Sequence, residues 1–405
     1  MPIPPSSFLP MSSVGQGWLV LGGLAIAAVA TSVACSGKDL EPGYDAVAAA
    51  LLADVGPRVV EPALERFVVT LDALDGALVA WAATSGESGE ATARTDAQLA
   101  WADAMAAWQE LEMLQLGPAA SSLTAVAGED FRDEIYSWPT VNPCRVDQET
   151  VEEDWNQPDF FTSNLVNSYG LDALEHLLFS GDDNACPGQV DINTEGTWDA
   201  LTAEGIDANR AAFSEALVAH ILEVNTALLS DWETQFTDTL ASASDGNAVY
   251  DSAQDGLNAV YDALFYLETQ TKDRKLAKPL GLVDCAEDTC PNDVEGQVGG
   301  DSVSRIEANL IGFRTLFSGG EGIGIDDLLD EVGHGDLAEQ ILTDTDAAIA
   351  LAEALQGPLD QLIEEDAASV IALYDAVKRI TDALKGDLPT VLTLQIPTEA
   401  AGDAD

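Results

Sequence analysis

The stretch from Ser168 to Phe179 reads SYGLDALEHLLF and combines an apolar helical face with three potential metal ligands. Its four leucines recur at the spacing of three and four residues that buries one face of an α-helix. Asp172, Glu175 and His176 fall at i, i+3 and i+4, so their side chains can converge beside one helical turn. Because polar groups beside a buried face are costly unless they are paired, protonated or bound to a cation, the stretch is a candidate site.

The composition of the 405-residue chain predicts an all-α protein. Ala, Leu, Asp and Glu dominate, and apolar residues repeat with helical rather than alternating period. The length exceeds one ordinary hydrophobic core, so two helical domains are expected. The 71 acidic residues against 16 basic ones give a net charge of −55, which argues against binding to nucleic acid or to an anionic lipid surface. An adaptation to solubility or salt is the first interpretation of this charge.

The N-terminal region has the pattern of an export signal. The first 35 residues carry no Asp, Glu, Lys or Arg, and an apolar run extends from Trp18 to Ala30. The stretch TSVACSG that follows resembles a bacterial lipoprotein processing site, in which Cys35 would become the lipidated N-terminus, although Ser32 stands where such sites usually carry Leu. A short transmembrane anchor and an ordinary cleaved signal stay open as alternatives. All three interpretations export the rest of the chain.

Helical periodicity and loop residues divide the remaining chain into regions. The irregular stretch 119–168 precedes the central helix, and such a stretch is usually a functional segment or a cap over a site. The sequence LFSG occurs at 178–181 and again at 316–319, which favours two related helical bundles. The expected regions are a signal peptide at 1–35, a linker at 36–44, an N-terminal bundle with the central motif helix at 45–240, a C-terminal bundle at 241–397 and an acidic tail at 398–405.

Four cysteines follow Cys35, and in an exported chain an even number favours disulfides over zinc ligation. Cys285 and Cys290 are close enough in sequence to close one loop. Cys144 and Cys186 would then join the two loops that flank the central helix. This pairing is preferred to the two alternative ones.

Several short segments occur in a recognisable order along the chain. These segments are Trp108–Pro118, Trp138-Pro139, the central Gly170–Glu175, Lys278–Gly281 and Asn309–Phe313. Their order resembles that of the imelysin-like family of bacterial periplasmic proteins and lipoproteins. The hallmark of that family is a Gly-x-His-x-x-Glu motif on a short central helix. In this chain Asp172 stands at the position of the motif His, and His176 lies one position past Glu175.

The resemblance implies an all-helical fold of two bundles with a cleft between them, and an association with iron uptake, including the periplasmic component of a ferrous-iron system. An Asp in place of the motif His would supply an oxygen ligand for a harder cation such as iron, manganese or calcium. We therefore expect Asp172 and Glu175 to accept a metal ion or metal complex at the cleft. His176 and Glu112 are further candidate ligands, and Gly170 would let the chain turn tightly into the helix.

Structural alternatives exist for each of these residues. Asp172 and Glu175 could form a hydrogen-bonded pair that holds the helix against its neighbours, His176 is more simply a structural histidine, and Glu112 could be an exposed acid at a helix end. The expected protein is thus an exported lipoprotein, anchored to the outer membrane and facing the periplasm or cell surface, that serves iron acquisition. The alternatives are a metallopeptidase of the imelysin type, after the older family label, and a non-catalytic surface scaffold with a degenerate site.

Catalysis is not expected from the sequence. Glu175-His176 is not part of a His-Glu-x-x-His motif, and no Gly-x-Ser-x-Gly segment occurs. With only three histidines in the chain, no His pair has the spacing of a zinc site.

Overall fold

A computed structural model describes residues 43–397, and within that range the chain forms helices and connecting loops without a strand. The all-α prediction is confirmed. The predicted signal, Cys35, most of the linker and the acidic tail at 398–405 lie outside the described residues. The α-helices are α1 (Tyr44–Asp54), α2 (Glu61–Thr84), α3 (Glu90–Leu111), α4 (Phe131–Ile135), α5 (Pro143–Glu152), α6 (Phe160–Ser163), α7 (Leu171–Phe179), α8 (Asp191–Thr194), α9 (Ala203–Asp231), α10 (Thr237–Ala241), α11 (Ala253–Leu264), α12 (Ser302–Phe317), α13 (Ile325–Glu331), α14 (Gly335–Ala354), α15 (Leu359–Glu365), α16 (Ala367–Lys385) and α17 (Asp387–Leu392).

Short π-helical segments continue several of these helices. The first of them contains Pro57, which the sequence marks as a helix break because proline lacks a backbone N–H. The chain instead passes through one wide turn there and runs on from α1 into α2, as π-bulges allow. The π-helical segments are Val55–Val60, Trp232–Phe236 and Leu267–Ala277, and 3₁₀ turns lie at Gly117–Ala119, Asp154–Asn156, Val166–Ser168, Ser242–Asp245 and Pro291–Asp293.

The helical hairpin of α2 and α3 forms the centre of the N-terminal half, and α9 also packs against α2. The ring of Phe67 on α2 lies 5.5 Å from the ring of Trp108 on α3. Aromatic side chains of this size contribute much of the burial in a helical core. The other large buried side chains of α2 lie on the same face of the helix as Phe67 and are Leu64, Leu71, Leu74, Leu78 and Trp81.

Helix α7 is buried almost completely. It contacts α3, α5 and α9, and eight of its nine residues are buried, so the polar residues of this helix are in the interior together with the leucines. The indole Nε1 of Trp101 on α3 donates a hydrogen bond of 2.9 Å to the carbonyl oxygen of Leu171. This bond satisfies both a buried indole and a backbone acceptor in the first turn of α7.

Two disulfides lie within the described part of the chain. Cys144 pairs with Cys186 and Cys285 with Cys290, which is the pairing preferred from the sequence. The first bond ties the N-terminal end of α5 to the loop that follows α7. Both segments next to the central helix are thereby held in place without a large core of their own.

Helix α12 joins the two halves of the chain, since it packs on α3 as well as on α14 and on Leu267–Ala277. Gly312 allows α12 to lie close to α3, because a Cβ at this position would lie 2.3 Å from the carbonyl oxygen of Glu110 on α3. The backbones of α3 and α12 can therefore approach only because residue 312 has no side chain. The division into bundles at 45–240 and 241–397 stays a prediction.

Candidate functional site

Gly170 determines how the chain turns into α7. Its φ of +102° lies in a region that residues with a side chain rarely adopt. A Cβ there would lie 2.9 Å both from the carbonyl oxygen of Ile135 and from Oδ1 of Asp172. The backbone before α7 thus passes directly against the C-terminal end of α4, as expected for a tight turn at this position.

Asp172 is buried in the first turn of α7 and has neutral hydrogen-bond partners. Its Oδ2 accepts a bond of 2.9 Å from the hydroxyl of Ser137, and its Oδ1 accepts one of 3.1 Å from the backbone N–H of Ala173. Within residues 43–397 no ion pair reaches this carboxylate. Burial raises the pKa of Asp172 to about 7, although these hydrogen bonds and the charge of Arg132 act in the opposite direction. Near neutral pH, Asp172 is therefore divided between its protonated and ionised forms.

Glu175 lies one turn further along α7 and is held by different groups. Its Oε2 accepts a bond of 2.7 Å from Nη2 of Arg305 on α12, and its Oε1 accepts one of 2.8 Å from the backbone N–H of Gly299. Arg305 also pairs with Asp301 at 2.8 Å. Glu175 is thus a charged contact between the N-terminal and C-terminal halves, and not a neutral pair with Asp172.

His176 holds α7 against α5 and the following loop. Its Nε2 lies 2.9 Å from Oδ1 of Asp147, and its Nδ1 lies 2.8 Å from the hydroxyl of Ser180. Both ring nitrogens have a partner, so neither is available to a metal ion without a rearrangement. The structural interpretation of His176 fits this geometry.

Glu112, at the C-terminal end of α3, is fully buried and not an exposed helix-end acid. Its Oε1 accepts bonds from Arg132 Nη2 at 2.8 Å and from the hydroxyl of Tyr266 at 3.0 Å. Its Oε2 accepts one of 2.9 Å from Lys275 Nζ. Burial alone would raise the pKa of Glu112, but the charges of Lys275 and Arg132 outweigh it and lower the pKa to about 2.

Four residues that were not predicted as part of the site connect Glu112 with Glu175. We call the whole set the interior polar network and define it as Glu112, Lys275, Glu295, Tyr136, Arg305 and Glu175. Lys275 Nζ lies 2.9 Å from Oε2 of Glu295, and the Tyr136 hydroxyl donates to Oε1 of the same glutamate at 2.5 Å. Arg305 Nη1 in turn donates to the Tyr136 oxygen at 3.0 Å. The network runs without interruption from the end of α3 to α7.

One feature of the sequence could have indicated the network. Basic residues are scarce in this chain, yet four of the 16 fall within residues 272–278. Two of these, Lys272 and Lys275, are buried, as is Arg305 on α12. Basic side chains at buried helical positions need carboxylate partners, because an unpaired charge in the interior is strongly destabilising. Their positions along the chain do not show which carboxylates those partners are.

The predicted ligands do not converge as a preformed metal site. Among the described residues, the only trio of His, Cys, Asp or Glu with ligand atoms within 4.8 Å of one another is Glu149, Glu152 and Asp154. Arg145 already pairs with Glu149 and lies 3.5 Å from Glu152, so this trio is partly neutralised. Asp172, Glu175, His176 and Glu112 each have separate partners.

Comparison with known proteins identifies the family. The family model described as Imelysin matches residues 61–385. An imelysin-like protein from Psychrobacter arcticum 273-4 superposes with a TM-score of 0.63 at 19% identity, covering 87% of this chain and 97% of that one. A protein named as an iron-regulated protein A precursor, from Parabacteroides distasonis ATCC 8503, superposes with a TM-score of 0.65 at 13% identity, covering 86% and 95%. No curated protein matches in sequence. The chain belongs to the imelysin family.

Proposed function

We propose that this protein is exported to the cell envelope and serves iron acquisition by binding a metal ion or metal complex beside α7. Membership of the imelysin family supports the proposal, as does the structural likeness to a protein named as iron-regulated. The N-terminal export pattern and Cys35 would place the bound ligand at the membrane, facing the periplasm or cell surface. Asp172 and Glu175 are the proposed acceptors.

The observation that carries the proposal is the environment of Asp172. It is the one predicted ligand among the described residues that has no basic side chain or charged group bound to it. A buried carboxylate with so few donors is destabilised when ionised, and a cation bound next to it would relieve that penalty. Carboxylate oxygens are also the ligands that harder cations prefer. Asp172 would lose its proton as the cation binds.

The pairing of Glu175 favours a metal complex over a bare ion. A bare ion could use Glu175 only after Arg305 had released it, and Arg305 would then be a buried cation with one carboxylate fewer. A complex brings anionic groups of its own, and one of these can take over the hydrogen bond from Arg305. The proposed ligand is therefore a metal ion together with a small anionic chelator.

Calorimetric titration tests the proposal. The full-length chain in detergent is titrated at high salt, which screens diffuse binding to the acidic surface, with Fe(II), Mn(II), Ca(II) and Zn(II) and with iron(III) citrate. Stoichiometric binding is expected, and it should be lost in Asp172→Asn and weakened in Glu175→Gln.

The matched controls are Asp103→Asn and Glu204→Gln, which change exposed acids elsewhere to the same amides. These controls should bind as the unchanged protein does. Weak binding of equal strength in all five proteins would overturn the proposal and favour a scaffold role.

A further inference from the structure

A second feature of the molecule lies outside α7 and does not depend on the proposed function. A cavity of about 290 Å³ opens between the loop that follows α3 and the helical segment that contains Tyr266 and Gln270. Its volume is at the lower end of the range for small-molecule sites. Gln115, Arg132 and Arg274 are also among the residues that line it.

Three buried polar atoms around this cavity have no hydrogen-bond partner. They are Nε2 of Gln115, Nε of Arg132 and Oε1 of Gln270. Buried polar atoms in native proteins are nearly always paired, so three such atoms around one cavity indicate a missing polar partner. Because each Gln amide rotates about its last side-chain bond, a molecule in the cavity can reach both of them.

The lining carries charges of both signs. Arg132 and Arg274 contribute positive charge, and Asp130, Asp133 and Asp262 contribute negative charge. Arg274 is exposed at the cavity and has neither a hydrogen bond nor an ion pair with any described residue. Because Arg132 is already paired with Glu112 and with Asp133, a simple anion would meet Asp130 and Asp262 here, and a simple cation would meet Arg274. A ligand with both charges avoids either repulsion.

The rest of the lining combines apolar side chains with the hydroxyls of Ser121, Thr124 and Thr269. Phe265 and Tyr266 form one side, and Ala119, Ala120 and Ala125 form the other. Apolar walls with a few polar groups at defined places are typical of sites that take a compact organic molecule. The wall therefore leaves room for a short carbon skeleton between the two sets of charges.

We infer that this cavity binds a small zwitterion, a molecule with one carboxylate and one ammonium group on a short skeleton, such as a free amino acid. The carboxylate would accept from Nε of Arg132, from Gln115 and from Arg274. The ammonium group would donate to Oε1 of Gln270 and meet the charge of Asp262. Binding would pair all three orphaned atoms in one step.

Calorimetric titration of the full-length chain with alanine, serine, leucine, phenylalanine and lysine tests the inference. For the amino acid that binds best, the deaminated acid and the decarboxylated amine are titrated as well. The amino acid should bind at least about tenfold more tightly than either analogue, because each analogue leaves one set of buried polar groups unpaired.

Variants locate the binding in the cavity. Arg274→Gln and Gln270→Leu should each weaken binding of the amino acid about tenfold. Arg58→Gln is the matched control, since Arg58 is also exposed and without an ion pair among the described residues, but lies away from the cavity. The inference is overturned if no probe binds at about 10 mM, a concentration that detects even weak sites. It is also overturned if the acid alone binds as tightly as the amino acid, or if Arg58→Gln has the same effect as Arg274→Gln.

Discussion

Glu112 and Asp172 are both buried carboxylates, yet the pKa of Glu112 is lowered and that of Asp172 is raised. Glu112 has two cations and a tyrosine hydroxyl around it, and its pKa is lowered to about 2. Asp172 has a serine hydroxyl and a backbone N–H, and its pKa is raised to about 7. The comparison shows that burial alone does not set the charge of an acid in this interior. The number of positively charged groups next to the carboxylate determines that charge.

The largest effect on stability is expected from removing Lys275, the cation that Glu112 shares with Glu295. In Lys275→Met two carboxylates stay buried without their common partner, and the free energy of unfolding should fall by about 3–5 kcal/mol. Urea denaturation measures this change. Lys278→Met is the control, because Lys278 pairs with Asp293 at the surface and its loss should change stability by no more than about 1 kcal/mol. Equal losses in the two variants would show that the interior polar network is not stabilising.

The next largest effect concerns pH and Asp172. Its pKa is higher in the folded state than in the unfolded state, so the folded protein binds the proton more tightly and loses stability as the pH rises from about 4 to about 7. Asp172→Asn removes this loss and keeps the hydrogen-bonding shape. At pH 8 the variant should be more stable by about 3 kcal/mol, and at pH 4 the difference should vanish. Denaturation curves at both pH values provide the measurement.

Glu112→Gln should change stability in the opposite direction in the same experiment. The lowered pKa of Glu112 contributes stability above its unfolded value, and this contribution is lost as the pH falls toward about 2. The variant should therefore be less stable than the unchanged protein at pH 7, with a smaller difference at pH 3. If both variants shift stability in the same direction at neutral pH, the pKa values of the two carboxylates are not shifted in opposite directions, and the comparison is wrong.

A smaller effect is expected from the turn into α7. Gly170→Ala places a side chain at a φ of +102° and against the carbonyl oxygen of Ile135. Strain of this kind costs about 1–3 kcal/mol, which thermal unfolding detects. Gly181→Ala is the control, since a Cβ there meets nothing within 4 Å and the φ is not in the strained region. A Gly170→Ala protein of unchanged stability would mean that the turn is less constrained than its geometry indicates.

The smallest effect isolates the single hydroxyl that supports Asp172. Ser137→Ala should lower stability by about 1 kcal/mol at pH 8, where Asp172 is mostly ionised and needs the donor. At pH 5 the carboxyl is protonated and the loss should be smaller. Denaturation at the two pH values separates this effect from simple loss of packing, which would be the same at both.

Local patterns predicted much of the helical frame. The spacing of buried residues in α2 and α7 and the glycine before α7 follow from sequence periodicity and backbone chemistry. Helix ends follow less directly from periodicity: the apolar spacing continues to Leu116, but α3 ends at Leu111. Beyond that point the chain turns to bury Glu112, and the apolar residues Met113 and Leu114 continue a pattern that is no longer helical.

The partners of the site residues could not be predicted in the same way. Glu112 meets Lys275 across 163 positions, and Glu175 meets Arg305 across 130. Helical periodicity describes contacts between residues three or four apart, and it contains no information on which buried charges meet from distant helices. The contact between His176 and Asp147 spans 29 positions and could not be predicted for the same reason.

The sequence by itself determined the helical class, the short central helix with its acidic residues, the glycine that precedes it and the preferred cysteine pairing. These follow from interactions between neighbours in the chain and from the conformational limits of single residues. Only the tertiary structure decided the charge states of Asp172 and Glu112 and the existence of the interior polar network. The physical reason is that the free energy of a buried charge depends on the groups packed around it, and those groups come from remote parts of the chain.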